Sequence, residues 1–179
     1  MTTASKITML RICMIPFFMA AALIKFPGHD YVALAIFIIA ALTDSLDGYI
    51  ARHYNQVSDF GKFIDPIADK LLVTAALLIF VEREQMASWA CMLVISREFM
   101  VSGLRLVAVE KGKVIAAAMS GKIKTAASIV CCAVMFLPIH DYIVFSRLTV
   151  DDLCVAVIVI TTVYSGIEYF VVNKGVLEK

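Results

Sequence analysis

Charge is scarce in this chain: 17% of its 179 residues are charged, and the formal net charge is +1. That balance excludes a strongly basic nucleic-acid binder. The five cysteines, Cys13, Cys91, Cys131, Cys132 and Cys154, show no C-x-x-C spacing and no pairing logic. All lie in apolar segments and read as small buried apolar side chains. His29, His53 and His140 are isolated, with no second His or Cys at a ligand spacing, so no metal is assigned to them. Internal repeats and low-complexity tracts are missing. No small-residue cleavage site follows the first apolar stretch, so a retained helix is expected there rather than a cleaved signal peptide.

What the chain has instead is apolar surface. Hydrophobic residues make up 61% of it and the mean hydropathy is +0.89, whereas soluble domains sit near half apolar or less. The excess is too large for one globular core and reads as a polytopic membrane protein. The length suits six spans of about 20 residues each with short loops, as one domain over residues 1–179. Backbone groups in hydrocarbon must be bonded internally, and these runs are too long and continuous for barrel strands. The expectation is therefore all-α, with six transmembrane helices at Ile7–Ile24, Tyr31–His53, Phe63–Val81, Met86–Val109, Lys122–Leu137 and Val150–Val172. Pro16 lies inside the first and is a site for a kink, while Pro138 stops the fifth. The stretch from Gly112 to Gly121, rich in Ala and Lys, reads as a connecting loop or a short surface helix.

Positive charge is divided unevenly between the two sets of loops and helix ends. With the N-terminus in the cytoplasm, thirteen of the sixteen Lys and Arg fall on that side, and only Lys25, Arg83 and Arg147 fall on the other. Such asymmetry places both termini inside. It also places the cytoplasmic ends of helices two and three beside a cluster of acids: Asp44, Asp47, Asp65 and Asp69. Carboxylates at the ends of membrane-length helices need partners, and four together cannot all ionise without cations. Asp44 and Asp47 are i, i+3 on one helix; Gly61, Asp65 and Asp69 are i, i+4, i+8 on the next, after a loop of about ten residues. The two acidic stripes can face each other across an antiparallel pair, and two carboxylates from each helix suit a pair of hard cations bound by oxygen. Gly48, Ala51 and Gly61 clear space beside the acids, and Arg52 offers a bidentate donor for phosphate oxygens. A metal pair about 3.5–4 Å apart can neutralise a pyrophosphate during an in-line displacement. A single Asp near a helix end is usually a cap or a solvated residue; four on consecutive helices with interspersed glycines are hard to explain that way.

The segment resembles the signature of the CDP-alcohol phosphatidyltransferase family, D-x-x-D-G-x-x-A-R-x8-G-x-x-x-D-x-x-x-D. Asp44, Asp47, Gly48, Ala51, Arg52, Gly61, Asp65 and Asp69 fill all eight fixed positions across 26 residues. The resemblance implies a six-helix integral membrane enzyme, usually a homodimer, that moves a substituted phosphate from a CDP-linked donor to an alcohol and releases CMP. By the same resemblance Asp44, Asp47 and Asp65 hold two divalent cations, magnesium or else manganese. Asp69 contributes to one of them and serves as general base on the acceptor hydroxyl. Gly48 and Arg52 would contact the CDP part of the donor, with Ser58 a further candidate.

Outside that signature, Arg97-Glu98-Phe99-Met100-Val101-Ser102-Gly103-Leu104-Arg105 and Gly121-Lys122-Ile123-Lys124-Thr125 carry the remaining polar pattern. Arg97 and Glu98, costly at membrane depth, could pair with other groups in the bundle. Arg105, Lys122 and Lys124 read equally as ordinary positive-inside anchors or as a cationic pocket for a phosphate on the acceptor. These two stretches resemble the branch of the family that uses CDP-diacylglycerol and glycerol 3-phosphate, which favours the pocket. Ile7-Thr8-Met9-Leu10-Arg11 resembles the family's N-terminal L/I-T-x-x-R pattern and brings Thr8 to the donor, although Ala4-Ser5 stand where the family often has Pro-Asn. The resemblance implies a bacterial cytoplasmic membrane. Other acceptors (inositol, inositol phosphate, serine, a phosphatidylglycerol) are the rivals within the chemistry, and a divalent-cation transporter is the rival outside it. Glu168 has no assigned role.

Overall fold

Each helix turns one row of side chains inward, at steps of three and four residues. In α1 (Thr3–Leu23) the buried row is Thr8, Arg11, Ile15, Phe18 and Ala22. In α6 (Val150–Asn173) it is Asp151, Cys154, Ile158, Thr162, Ser165 and Tyr169. This spacing is the signature of a helix with one packed face, and six such helices form the molecule. Between them come α2 (His29–His53), α3 (Asp59–Glu82), α4 (Ser88–Glu110) and α5 (Met119–Met135). The computed structural model describes residues 3–53, 59–113, 115–116, 118–139, 143–145 and 148–174, of which 3–7, 44–53, 59–66, 69 and 143–145 are described by their backbone alone.

The six expected helices are all present; α1, α2, α3 and α5 begin two to four residues earlier than expected, α4 begins two residues later, and α6 begins where expected. Two short strands were not expected: β1 (Ile143–Phe145) and β2 (Leu148–Thr149) pair antiparallel, with Ile143 opposite Thr149. Runs of three and two residues are too short to show a period. The stretch after α4 is a connecting loop. Gly112, at φ +68°, ends α4 in a Schellman motif, with Lys113 N donating to Ala108 O (2.8 Å) and Gly112 N to Val109 O (2.9 Å). Only glycine takes that backbone conformation without strain. Thr149 caps α6 through a reciprocal box with Asp152. α1 runs on through Pro16, which is exposed. Four cysteines are buried as expected, but Cys13 is exposed, because its position in α1 falls on the outer face.

α1 packs against α2 and α3, α5 against α6, and α4 against α6, with α3 also touching α4 and α5. Phe18, Phe37, Phe80 and Phe136 meet in the middle of one half, with ring centroids 4.7–5.9 Å apart. Such aromatic pairs contribute about 0.5–1.5 kcal/mol each beyond their buried area. The outside is apolar as well: Phe99, Leu106 and Val172 are each more than 70% exposed, which suits lipid contact rather than water. By length and composition alone, α6 is the one helix among the described residues apolar enough throughout to cross a membrane. α1 and α2 contain shorter apolar stretches, Thr8–Leu23 and His29–Thr43.

Helix directions are fixed by contacts at the end where α3 finishes. Arg83, just past α3, donates through Nη1 to Asp30 Oδ1 at the start of α2 (2.7 Å) and through Nη2 to the Ala22 carbonyl near the end of α1, with its guanidinium 5.7 Å from the Phe136 ring centroid. Gln85 donates to Asp151 Oδ2 at the start of α6 (2.9 Å) and to the Met135 carbonyl at the end of α5 (3.4 Å). Every consecutive pair of helices is therefore antiparallel. Arg83→Ala is expected to lower stability by roughly 2–3 kcal/mol, the scale of hydrogen bonds made by a charged group, measured by denaturation in detergent micelles. An unchanged midpoint would show that this cluster does not hold the helix ends together.

Candidate active site

The end of the bundle opposite Arg83 gathers the polar residues. Of the nine buried polar or charged side chains among the described residues, eight (Thr8, Arg11, Arg97, Ser120, Lys124, Ser128, Thr162 and Ser165) lie toward it, and Asp151 lies at the other. The aspartate segment belongs to the same end. On α2 the buried row Ala33, Phe37, Ala40 continues at positions 44 and 47. On α3 the row Phe80, Ala76, Leu72 continues at positions 69 and 65. Since α2 and α3 are antiparallel, all four positions lie at the same end of the two helices. The side chains of Asp44, Asp47, Gly48, Arg52, Gly61, Asp65 and Asp69 lie outside the described residues, and Ser58 lies outside them entirely. Among the described residues no three His, Cys, Asp or Glu side chains gather. The backbone placement fits a metal pair, because four oxygen-donor residues share one end of two adjacent helices.

From α3 a chain of polar contacts leads into α4, α5 and α6. Lys70, next to Asp69, donates to Ser102 Oγ. Ser102 in turn donates to the Glu98 carbonyl (2.8 Å). Oε1 of Glu98 accepts from Lys124 Nζ (2.7 Å) and from Arg97 Nη1 (3.0 Å). Arg97 Nη2 donates to Ser165 Oγ on α6. Two cations thus converge on one carboxylate oxygen; the Lys124 side chain is 4% exposed and that of Arg97 10%, while that of Glu98 is 26% exposed. An intact buried ion pair adds little net stability, whereas removing one partner leaves an uncompensated charge at a cost of about 3–5 kcal/mol. The cluster therefore fixes positions more than it stabilises the fold.

Arg97 reaches α6 because of Gly166. A Cβ there would lie 3.3 Å from Arg97 Cγ, and one at Gly121 would lie 3.6 Å from Nη2. Sequence reasoning missed Ser165 and Gly166; the signal was a Ser-Gly pair inside an otherwise greasy helix, a site of close approach. Thr8 and Arg11 are both buried on α1, one turn apart. The expected acceptor residues separate. Lys124 points inward to Glu98, whereas Lys122, about 200° away around the helix, is exposed. Arg105 is exposed too, and its Nε donates to the hydroxyl of buried Tyr169 (3.2 Å). The structure accordingly bears out the expectation that Arg97 and Glu98 pair within the bundle. Oε2 of Glu168, Oγ of Ser120 and Ser128, and Oγ1 of Thr162 are buried without a hydrogen-bond partner among the described residues.

Comparison with known proteins covers nearly the whole chain. The chain matches the CDP-alcohol phosphatidyltransferase family over residues 1–172. It is 45% identical to a CDP-diacylglycerol–glycerol-3-phosphate 3-phosphatidyltransferase of Bacillus subtilis, covering 97% of this chain and 96% of the relative. Identity to the protein of that name in Haemophilus influenzae is 35%, over 96% and 92%, and to the one in Salmonella typhimurium 34%, over 94% and 93%. With a match along nearly its full length and the eight-position signature intact, this chain belongs to the CDP-alcohol phosphatidyltransferase family, a family of membrane proteins.

Proposed function

We propose that this protein transfers the phosphatidyl group of CDP-diacylglycerol to sn-glycerol 3-phosphate, giving phosphatidylglycerophosphate and CMP in phospholipid biosynthesis. The observation that carries the proposal is the complete signature, Asp44 to Asp69, set at the one polar end of the bundle. The relatives' names, at up to 45% identity over nearly the whole chain, supply the acceptor. All six helices span the membrane, with both termini and the polar end on the cytoplasmic side, as the charge asymmetry directs. By resemblance to the family, the protein acts as a homodimer.

In the proposed reaction the acceptor hydroxyl oxygen forms a bond to the phosphorus that carries diacylglycerol. The bond from that phosphorus to the bridging oxygen of CMP breaks, and CMP leaves with the electron pair. Asp44, Asp47, Asp65 and Asp69 would hold two divalent cations, which would supply neutralisation of the pyrophosphate charge. Asp69 takes the proton from the acceptor hydroxyl as the new bond forms. Thr8, Gly48, Arg52 and Ser58 hold the cytidine diphosphate part of the donor. Arg105 and Lys124 receive the acceptor's phosphate, and Glu98 keeps Lys124 in place through its 2.7 Å contact; Lys122, exposed on the other side of α5, stands outside that pocket. The clustered cations also draw a doubly anionic acceptor toward the mouth. A phosphate-free acceptor would give them nothing to bind. A cation carrier would need a polar path to both faces, and the far half is packed by four phenylalanines and closed by Arg83.

Purified protein given CDP-diacylglycerol and magnesium is expected to incorporate radiolabelled glycerol 3-phosphate into lipid and to release CMP, with no incorporation of serine or inositol. Chelation by EDTA abolishes turnover and added magnesium restores it. Label entering from serine or inositol instead would overturn the acceptor assignment. Asp69→Asn is expected to insert and bind donor normally but to turn over about 10²–10⁴-fold more slowly, the contribution typical of a general base. Turnover near that of the unaltered protein would remove Asp69 from that role.

A further inference from the structure

We infer that Tyr169 is a positioning residue for the acceptor: it holds the Arg105 guanidinium so that its outer edge faces the acceptor's phosphate. The inference rests on the proposed reading of Arg105 and extends it to a residue on a different helix. The Arg105 Nε–H donates to Tyr169 Oη at 3.2 Å, and the guanidinium carbon lies 5.8 Å from the ring centroid. One side chain thus offers Arg105 both a hydroxyl acceptor and an aromatic face. Tyr169 is suited to that duty because it does not move freely itself. It is 2% exposed, packs with Val101, Leu104 and Ala108, and its carbonyl accepts from Asn173 Nδ2 at 2.8 Å.

The geometry of a guanidinium does the rest. Its five N–H groups form a rigid fork, and an Nε bond taken by tyrosine leaves the Nη1–Nη2 edge for two parallel bonds to a phosphate. Among the described residues no other side chain hydrogen-bonds to Arg105. This sets it apart from Arg97 and Lys124, which are buried against Glu98. Depth agrees as well. Arg105 is three residues past Ser102 on α4, about 4.5 Å toward the mouth at the helical rise, and Ser102 contacts Lys70, the neighbour of Asp69. Phosphate capture on the mouth side of the base leaves the acceptor's far, reacting hydroxyl directed inward. An exposed arginine otherwise samples many rotamers, and fixing it beforehand removes part of the ordering cost of binding.

The test is steady-state kinetics on Tyr169→Phe, Arg105→Ala and the double variant, in detergent with CDP-diacylglycerol and glycerol 3-phosphate. Tyr169→Phe keeps the ring and removes only the acceptor hydroxyl. It is expected to raise KM for glycerol 3-phosphate about tenfold, the scale of one hydrogen bond to a charged group, with kcat and the KM for CDP-diacylglycerol unchanged. In the Arg105→Ala background the same change adds nothing. If Arg105→Ala raises that KM while Tyr169→Phe does not, the positioning role falls and Arg105 keeps its place in the acceptor site. If Arg105→Ala leaves the KM unchanged, the acceptor reading of Arg105 falls and takes the inference with it. Equal losses in kcat and in both KM values, additive with Arg105→Ala, would mark Tyr169 as merely structural and overturn the proposal.

Discussion

A charged side chain inside a helical bundle persists only where an opposite charge or a set of hydrogen bonds meets it, and this requirement sorts the molecule lengthwise. The inward row of α1 passes from Thr8 and Arg11 to Ile15, Phe18 and Ala22; that of α6 passes in the opposite chain direction from Ile158 to Thr162 and Ser165. Each row changes character partway along, and antiparallel packing brings the polar halves together. In lipid, burying one apolar side chain against another gains little over burying it in acyl chains, so close packing and polar contacts carry helix association. The far half uses interlocked phenylalanines for this, and the polar half uses the network around Glu98.

That network also joins the two functions a transferase needs. Lys70 follows Asp69 on α3, and its contact with Ser102 ties the acid segment to the turn of α4 that carries Glu98. Glu98 then binds α5 through Lys124, while Arg97 binds α6 through Ser165. Four helices are thus registered against one another at the depth of the proposed site. A misplacement of about 1 Å can reduce a rate by two orders of magnitude, so a net positive buried cluster of small net stability is well placed at this point.

Much of this was legible in the sequence because it is local. Six apolar runs gave six helices, and the eight-position signature gave the family. The helix starts were set too late, at Phe63 for α3 and Lys122 for α5, because apolarity marks where burial begins while the hydrogen-bonded helix runs on through polar residues to Asp59 and Met119. What stayed hidden depends on pairing between distant helices. Nothing near Arg105 signals that Tyr169 will lie under it, since their meeting depends on the relative rotation of α4 and α6. Likewise Arg83 reads as a loop charge on one face, and only the fold shows that it bonds to Asp30. Lys122 and Lys124 read as one motif, yet helical geometry sends them to opposite sides.

The lengthwise division matches the unequal natures of the two proposed substrates. A liponucleotide must place its headgroup among polar groups while its acyl chains stay in hydrocarbon, and a soluble phosphorylated alcohol must enter from water. A site open to water at one end and bounded by apolar helix surfaces on its sides meets both demands without a channel. The exposed row of α6, Leu153, Ile160, Ile167 and Val171, runs nearly its full length, so that face can meet acyl chains along the whole helix while Tyr169 on the opposite side holds Arg105. One helix would thereby separate the lipid phase from the proposed acceptor site, and the far half needs no polar residues beyond those that tie its ends.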